Sequence, residues 1–202
     1  MNTELARFNM IEQQIRPWDV LDPAVLALLA TVRREDFVPP AMRTLAFVDT
    51  QVPLLPGVPS AVMLEPKVEA RLLQQLQVQR HHKVLEIGTG SGFMAALLGH
   101  RAMQVITLEC RAELARMARD SLTRNGVANV NVVETSAERG AQGLAAEGPF
   151  DAILLSGSVA EVPPVLLQQL KPGGRLVAVV GEEPIMRARS YTRSTDNDMA
   201  WA

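Results

Sequence analysis

The run Leu85-Glu86-Ile87-Gly88-Thr89-Gly90-Ser91-Gly92 holds the residue types and spacing in this chain that point most directly to chemistry. Glycines at alternate positions free the backbone to bend sharply and let a ligand come close to it. In this reading Gly88 makes the turn and Gly90 admits the ligand. Gly92 opens a helix whose first N–H groups lack partners and favour electron-rich ligand atoms. Glu109 follows about 20 residues after Gly88, the distance at which a carboxylate on the next strand meets ribose hydroxyls. Dinucleotide sites use G-x-G-x-x-G. Here the spacing is G-x-G-x-G with Glu86 two residues ahead, the pattern of S-adenosylmethionine (AdoMet) sites. AdoMet carries no phosphate, so such a loop wraps a neutral ribose and a zwitterionic methionine tail. An acid at the strand end helps to hold the tail's ammonium, directly or through water. The competing reading is a glycine-rich turn that binds nothing; the strand before it, the helix after it and Glu109 weigh against that.

The elements that must position these residues divide the chain at about residue 80. From Met1 to Gln79 the pattern is helical and irregular. Leu5, Phe8, Ile11 and Ile15 recur at helical spacing, and Pro17 ends that helix. Asp22 is an expected N-cap with Pro23 in the first turn, opening a helix through Val32. Residues 38–60 are proline-rich and expected to be a long irregular connection, a kind of segment that is usually functional. Pro66 opens a helix with Val68, Leu72, Leu73 and Leu76 on one side. From His82 the rhythm becomes strand, turn, helix. Strands are predicted at 83–87, 104–108, 130–133, 150–155 and 175–180, with helices at 93–100, 111–125 and 162–170. A closing hairpin is predicted from 187–193 and 199–201 around Thr195–Asp198. This alternation implies an α/β fold, a doubly wound and mostly parallel Rossmann-like sheet with an N-terminal helical extension. The expected division is 1–79 on the substrate side and 80–202 on the AdoMet side, within one compact unit.

Composition narrows the classes. The 202 residues carry 20 Lys plus Arg and 22 Asp plus Glu, and 48% are hydrophobic. A near-neutral chain lacks the basic footprint of a nucleic-acid binder, and its apolar content argues against long disorder. One cysteine, Cys110, excludes an internal disulfide and a Cys-rich zinc site. The N-terminal residues show no signal-peptide pattern, and no apolar run is long enough to span a bilayer. The expectation is a soluble cytoplasmic protein with neither nucleic-acid nor membrane partners. His81, His82 and His100 have no acidic or Cys partners at metal-ligand spacing, so no metal is expected. Cys110 reads as a packing residue, Arg33-Arg34 as a charge pair at a helix C-terminus, and Trp18 as packing.

Beyond the glycine run, Met10–Arg16, Arg34–Pro39, Ala46-Phe47-Val48-Asp49, Phe150–Leu154 and Leu166–Val177 extend the pattern over most of the chain. With these segments the sequence resembles the protein-L-isoaspartate O-methyltransferase family from Met10 to about Gly181. The resemblance implies AdoMet as methyl donor and esterification of isoaspartyl side chains in damaged proteins. It places Glu86, Gly88, Thr89, Gly90, Ser91 and Gly92 around the donor and Glu109 on its ribose. Two departures stand out. The family's Thr-Ile-Ser-Gln-Pro run is here Val62-Met63-Leu64-Glu65-Pro66, so both hydroxyls are gone. Met63 is suited to an apolar pocket there, and Glu65 either points inward, adding repulsion, or points to solvent or serves as a helix-start acid. The family's Gly-Asp-Gly is here Thr135-Ser136-Ala137, leaving Ser136 and Ala137 near the adenine without a charge. The chain also ends sooner after its last hairpin than the resemblance leads one to expect.

Transfer of a methyl group from a sulfonium to a carboxylate needs no general base, because the carboxylate is already ionised near neutral pH. That agrees with the lack of a nucleophile–base constellation, and the identity of any catalytic residue stays open. Residues 50–66 are the natural substrate-side wall, expected to order or close on substrate. Three functions remain at this point: isoaspartyl carboxyl methylation, methylation of another acidic or small-molecule acceptor, and AdoMet binding without catalysis.

Overall fold

A computed structural model describes residues 2–194 and 199–201. Helix α1 (Thr3–Met10) begins at Asn2, whose side chain accepts from the Leu5 N–H, and runs on through a π turn at 11–15 and a 3₁₀ turn at 16–18. Its buried side differs from the predicted apolar face. Leu5 and Phe8 are 55% and 59% exposed, whereas Arg7, Met10, Ile11 and Ile15 face inward. Arg7 takes that side because it pairs with the buried Glu35 at 2.5 Å. Helix α2 (Pro23–Thr31) starts where expected, with Asp22 accepting from the N–H groups of Ala24 and Val25. The proline-rich connection holds 3₁₀ turns at 34–36 and 40–45, then a short antiparallel pair, β1 (Val52–Pro53) and β2 (Val62–Met63). Helix α3 (Pro66–Leu76) buries Leu72, Leu73 and Leu76 and stops at Gln77, which adopts φ +52.

The second part winds a seven-stranded sheet. In chain order it comprises β3 (Lys83–Ile87), α4 (Phe93–Arg101), β4 (Gln104–Glu109), α5 (Ala112–Arg124), β5 (Val130–Glu134), α6 (Ala137–Ala141), β6 (Phe150–Leu155), α7 (Pro164–Gln168), β7 (Leu170–Glu182), β8 (Ile185–Arg193) and β9 (Met199–Trp201). The order across the sheet is β5-β4-β3-β6-β7-β8-β9. The first five strands are parallel, and β8 and β9 are antiparallel. The predicted closing strands therefore pair, while their connection at 195–198 lies outside the described residues. The strand predicted at 175–180 begins earlier, at Leu170, because Phe150 pairs with Leu170 across a register shift before Ala152 meets Arg175. The helix predicted at 162–170 is correspondingly shortened to Pro164–Gln168.

Strand parity sends alternate side chains into two separate cores. Val84, Val105, Ala152 and Val177 join one cluster with the N-terminal helices, α3, α4 and α5. Leu85, Ile106, Ile153, Leu176 and Ala178 join the other, under α7 and Tyr191. The first core is continuous from Met10 to Val177, so the N-terminal helices pack directly on the sheet. Parity also puts Glu86 and Thr107 on the face covered by α3 and α4. Gly92, at φ +85, precedes α4 where it crosses α5, and a Cβ there would lie 3.1 Å from both Cα and Cβ of Ala118. Gly92→Ala is expected to cost roughly 1–3 kcal/mol from the left-handed backbone and the contact together, seen as a lower urea midpoint with an unchanged m-value.

Candidate active site

The carboxyl ends of β3, β4, β5 and β6 open into one crevice, the place where open parallel sheets bind ligands. A cavity of about 240 Å³ there is lined by Ile87, Gly88, Leu108, Glu109, Thr135, Ser136, Ala137, Leu155, Val159 and Leu166, among others. A second cavity of about 30 Å³ lies across the glycine loop. Its walls are Val62, Met63, Leu64, Glu69, Glu86, Gly88, Thr89, Gly90, Ser91, Met94 and Ser156. Gly88 borders both. Gly88, Gly90 and Gly92 all have positive φ (97, 54 and 85), which explains why the loop uses glycine at each.

Glu109 is held by the backbone. Its Oε2 accepts from the Gly90 N–H at 2.9 Å, and its Oε1 accepts from the N–H groups of Cys110 and Arg111, each at 3.0 Å. A carboxylate oxygen has two lone pairs, so Oε2 can still accept from a sugar hydroxyl facing the larger cavity. Ser136 lines that cavity and caps α6 by accepting from the Arg139 N–H at 3.3 Å. Ala137 adds an apolar surface beside it. This is a mainly apolar slot with a rim carboxylate, and it fits a nucleoside.

Glu86 faces the smaller cavity. It accepts from the Thr107 hydroxyl at 2.6 Å and from the Ser156 hydroxyl at 2.7 Å, and Thr89 bonds Thr107 behind it at 2.7 Å. Burial pushes the Glu86 carboxyl up to about 7, against the two hydroxyl bonds, with Glu69 and Glu109 adding to the rise. Val62, Met63 and Leu64 line this cavity together with the glycine loop. Glu65 does not line the cavity and makes no side-chain cap on α3. Gly92 borders neither cavity; it packs on α5.

Two residues at this site carry roles that sequence reasoning missed. Arg34 does not belong to an exposed helix-end pair: it is 1% exposed. Its Nε donates to the Ala46 carbonyl at 2.9 Å, its Nη2 to the Leu64 carbonyl at 2.7 Å, and its Nη1 to Glu69. The guanidinium also lies 5.1 Å from the centre of the Phe93 ring. Glu69 falls among Pro66, Leu72 and Leu73 on the inward side of α3, and an acid at helical spacing within an apolar stripe was the available signal. Burial lifts the Glu69 carboxyl to about 7 although Arg34 pulls it down, and Glu65 adds to the rise. Cys110 is exposed at the rim of the larger cavity and does not pack inside. Desolvation and the Glu109 carboxylate raise its thiol above the ordinary range, so it is not activated as a nucleophile. Trp18 is half exposed and packs under the Lys67 ammonium, 4.4 Å from its ring. Among the described residues no group of three or more His, Cys, Asp or Glu could hold a metal.

A doubly wound sheet, a glycine loop bending at β3 and a carboxylate at the end of β4 define an AdoMet-dependent methyltransferase. The family model described as protein-L-isoaspartate(D-aspartate) O-methyltransferase (PCMT) matches residues 6–201. The chain belongs to that family. A protein-L-isoaspartate O-methyltransferase of Koribacter versatilis (strain Ellin345) is 41% identical over 177 residues, covering 88% of this chain and 77% of the relative. One of Rhodopseudomonas palustris (strain ATCC BAA-98 / CGA009) is 41% identical over 186 residues, covering 92% and 82%. Among solved structures, one named protein-L-isoaspartate O-methyltransferase superimposes with a TM-score of 0.75 at 21% identity, over 98% of this chain and 63% of that one. A Plasmodium falciparum structure, titled as a putative member in complex with S-adenosyl-L-homocysteine, gives 0.72 at 20% identity, over 100% and 95%. At these identities the structures speak for the fold. AdoMet is the methyl donor of this enzyme family, and the nucleoside-shaped cavity with its rim carboxylate fits that donor.

The raised carboxyl of Glu86 sets a pH dependence. Its folded-state value lies above its unfolded one, so the unfolded chain loses that proton first as pH rises. Its contribution to stability is therefore full below about 4.5 and declines up to about 7. Glu69 acts with the same sign. Glu86→Gln is expected to flatten part of that decline in the ligand-free protein, measured as the thermal midpoint from about pH 4 to 8.

Proposed function

We propose that this chain transfers the AdoMet methyl group to the side-chain carboxylate of isoaspartyl residues in aged proteins and peptides, a repair reaction. The observation that carries this reading is the pair of cavities meeting at Gly88. The larger fits a nucleoside, and the smaller sits between the glycine loop and the Val62–Leu64 wall. Bound AdoMet supplies an electrophilic methyl group on a sulfonium. Glu109 takes the ribose hydroxyls; Leu155, Leu166, Ser136 and Ala137 border the adenine; Gly88, Thr89, Gly90 and Ser91 line the passage between the cavities. Val62, Met63 and Leu64 form the acceptor wall, with residues 1–79 as the substrate side and 80–202 as the donor side. The acceptor arrives ionised, so no side chain has to remove a proton. The protein's part is to align oxygen, methyl and sulfur and to exclude water. Leu54, whose Cδ1 would lie 3.5 Å from a Cβ on Gly90, and the Arg111–Ser60 hydrogen bond at 2.9 Å hold the 52–63 hairpin over that passage.

A cytoplasmic location goes with this reading, supported by a lone unpaired cysteine. No helix among the described residues is long and apolar enough to cross a membrane. A second reading has one specific observation in its favour. Val62, Met63 and Leu64 offer no side-chain donor to an acceptor carboxylate, which suits a different acceptor.

Labelled AdoMet with matched peptides separates the two. Selective, base-labile labelling of the isoaspartyl peptide over its aspartyl twin is expected. Donor binding with no labelling of either peptide would favour the second reading. The double substitution Val62→Thr with Leu64→Ser restores two donors to the wall and is expected to raise kcat/KM for the isoaspartyl peptide by roughly tenfold. An unchanged or lower value would mean that the acceptor does not meet these two side chains.

A further inference from the structure

The smaller cavity has an unusual balance of polar groups. Glu69 approaches it from α3 and Glu86 from β3, and Arg34, the cation nearest to them, is not among its walls. The guanidinium of Arg34 stands behind Glu69 and bonds its Oε2 only. The Glu69 side chain lines the cavity and is 6% exposed, with Oε1 outside the bond to Arg34. Both hydroxyls bonded to Glu86 give it their only proton, so they have no donor left for the cavity, while Ser156 Oγ in its wall keeps acceptor capacity. The free volume, about 30 Å³, is that of about one water molecule. An ammonium group has that size and brings three donors. It fits a space flanked by two carboxylates, of which Glu69 gives only Oε2 to Arg34. The donor's α-ammonium is the cation the established chemistry brings here. With the ribose at Glu109 and the nucleoside in the larger cavity, the methionine end crosses Gly88 into the smaller one.

We propose that Glu69 is a donor-binding residue in this chain, receiving the α-ammonium of AdoMet at Oε1 together with Glu86, while Arg34 holds its Oε2 from behind. This rests on AdoMet occupying the glycine loop. Burial keeps both carboxyls near 7 in the ligand-free protein, and a cation between them favours their ionised forms. The charged groups facing the pair are Arg34 and Glu65 around Glu69, and Glu109 beyond Glu86.

The test compares two ligands by equilibrium binding on the full chain. S-adenosylhomocysteine keeps the amino-acid end, and 5′-methylthioadenosine lacks it but keeps the nucleoside. Glu69→Gln is expected to weaken S-adenosylhomocysteine by about tenfold or more and to leave methylthioadenosine unchanged. An equal loss for both ligands would make Glu69 a structural residue only, and no loss for either would also overturn the proposal. Should Glu69→Gln not fold, Glu69→Asp keeps the charge and the Arg34 pair but withdraws the carboxylate, and the same selective loss is expected. Binding of neither ligand to the unaltered protein would overturn the AdoMet site itself, an outcome distinct from a lost preference between the two.

Discussion

A guanidinium with almost no access to water must have its N–H groups satisfied, and Arg34 meets that need by drawing four parts of the chain together. It bonds carbonyls at Ala46 and Leu64, pairs with Glu69 on α3, and lies over the ring of Phe93 at the start of α4. The 62–64 segment and the start of α4 after the glycine loop are thus referred to the same buried cation. Loss of one partner from such a pair leaves an uncompensated charge in the interior, which costs about 3–5 kcal/mol. The irregular N-terminal part therefore has a defined position against the sheet, although short turns interrupt its helices.

Division of labour at the site follows from the two faces of a single strand. Successive residues of β3 point to opposite sides, so Glu86 and Ile87 serve different cavities. Glu109, at the end of the neighbouring strand, is fixed by three backbone N–H groups and lines the larger cavity. Glu86 is fixed by two hydroxyls and faces α3, where Glu69 joins it. Two acids that look alike in the sequence thus do different work. Both are buried, but one is held by main-chain dipoles at the larger cavity, and the other is held by hydroxyls and carries a raised proton affinity.

Much of this architecture is legible in the order of the residues. The alternation of short apolar runs with amphipathic segments specifies the parallel sheet, because strand and helix periods depend on local sequence alone. The spacing of Gly88, Gly90 and Gly92 marks the turn between β3 and α4, because each needs a positive φ that glycine alone adopts readily. Asp22 as a cap and Pro66 in a first turn are equally local. Arg34, Arg7 and Glu69 are not readable in this way. An arginine after a helix looks the same whether it meets water or a carboxylate 35 residues away. The inward turn of Arg7 also displaces Leu5 and Phe8 from the face that their spacing suggests.

The sequence by itself determined the fold class, the glycine turn after β3 and the family, since each rests on periodicity or on contacts within a few residues of one motif. The tertiary structure alone decided which acids share a cavity, which arginine holds the Leu64 carbonyl, and that Gly92 packs against Ala118 and borders neither cavity. Those outcomes depend on how α3 and the 34–64 connection settle on one face of the sheet. No local pattern encodes the pairing of a buried charge with a partner far along the chain.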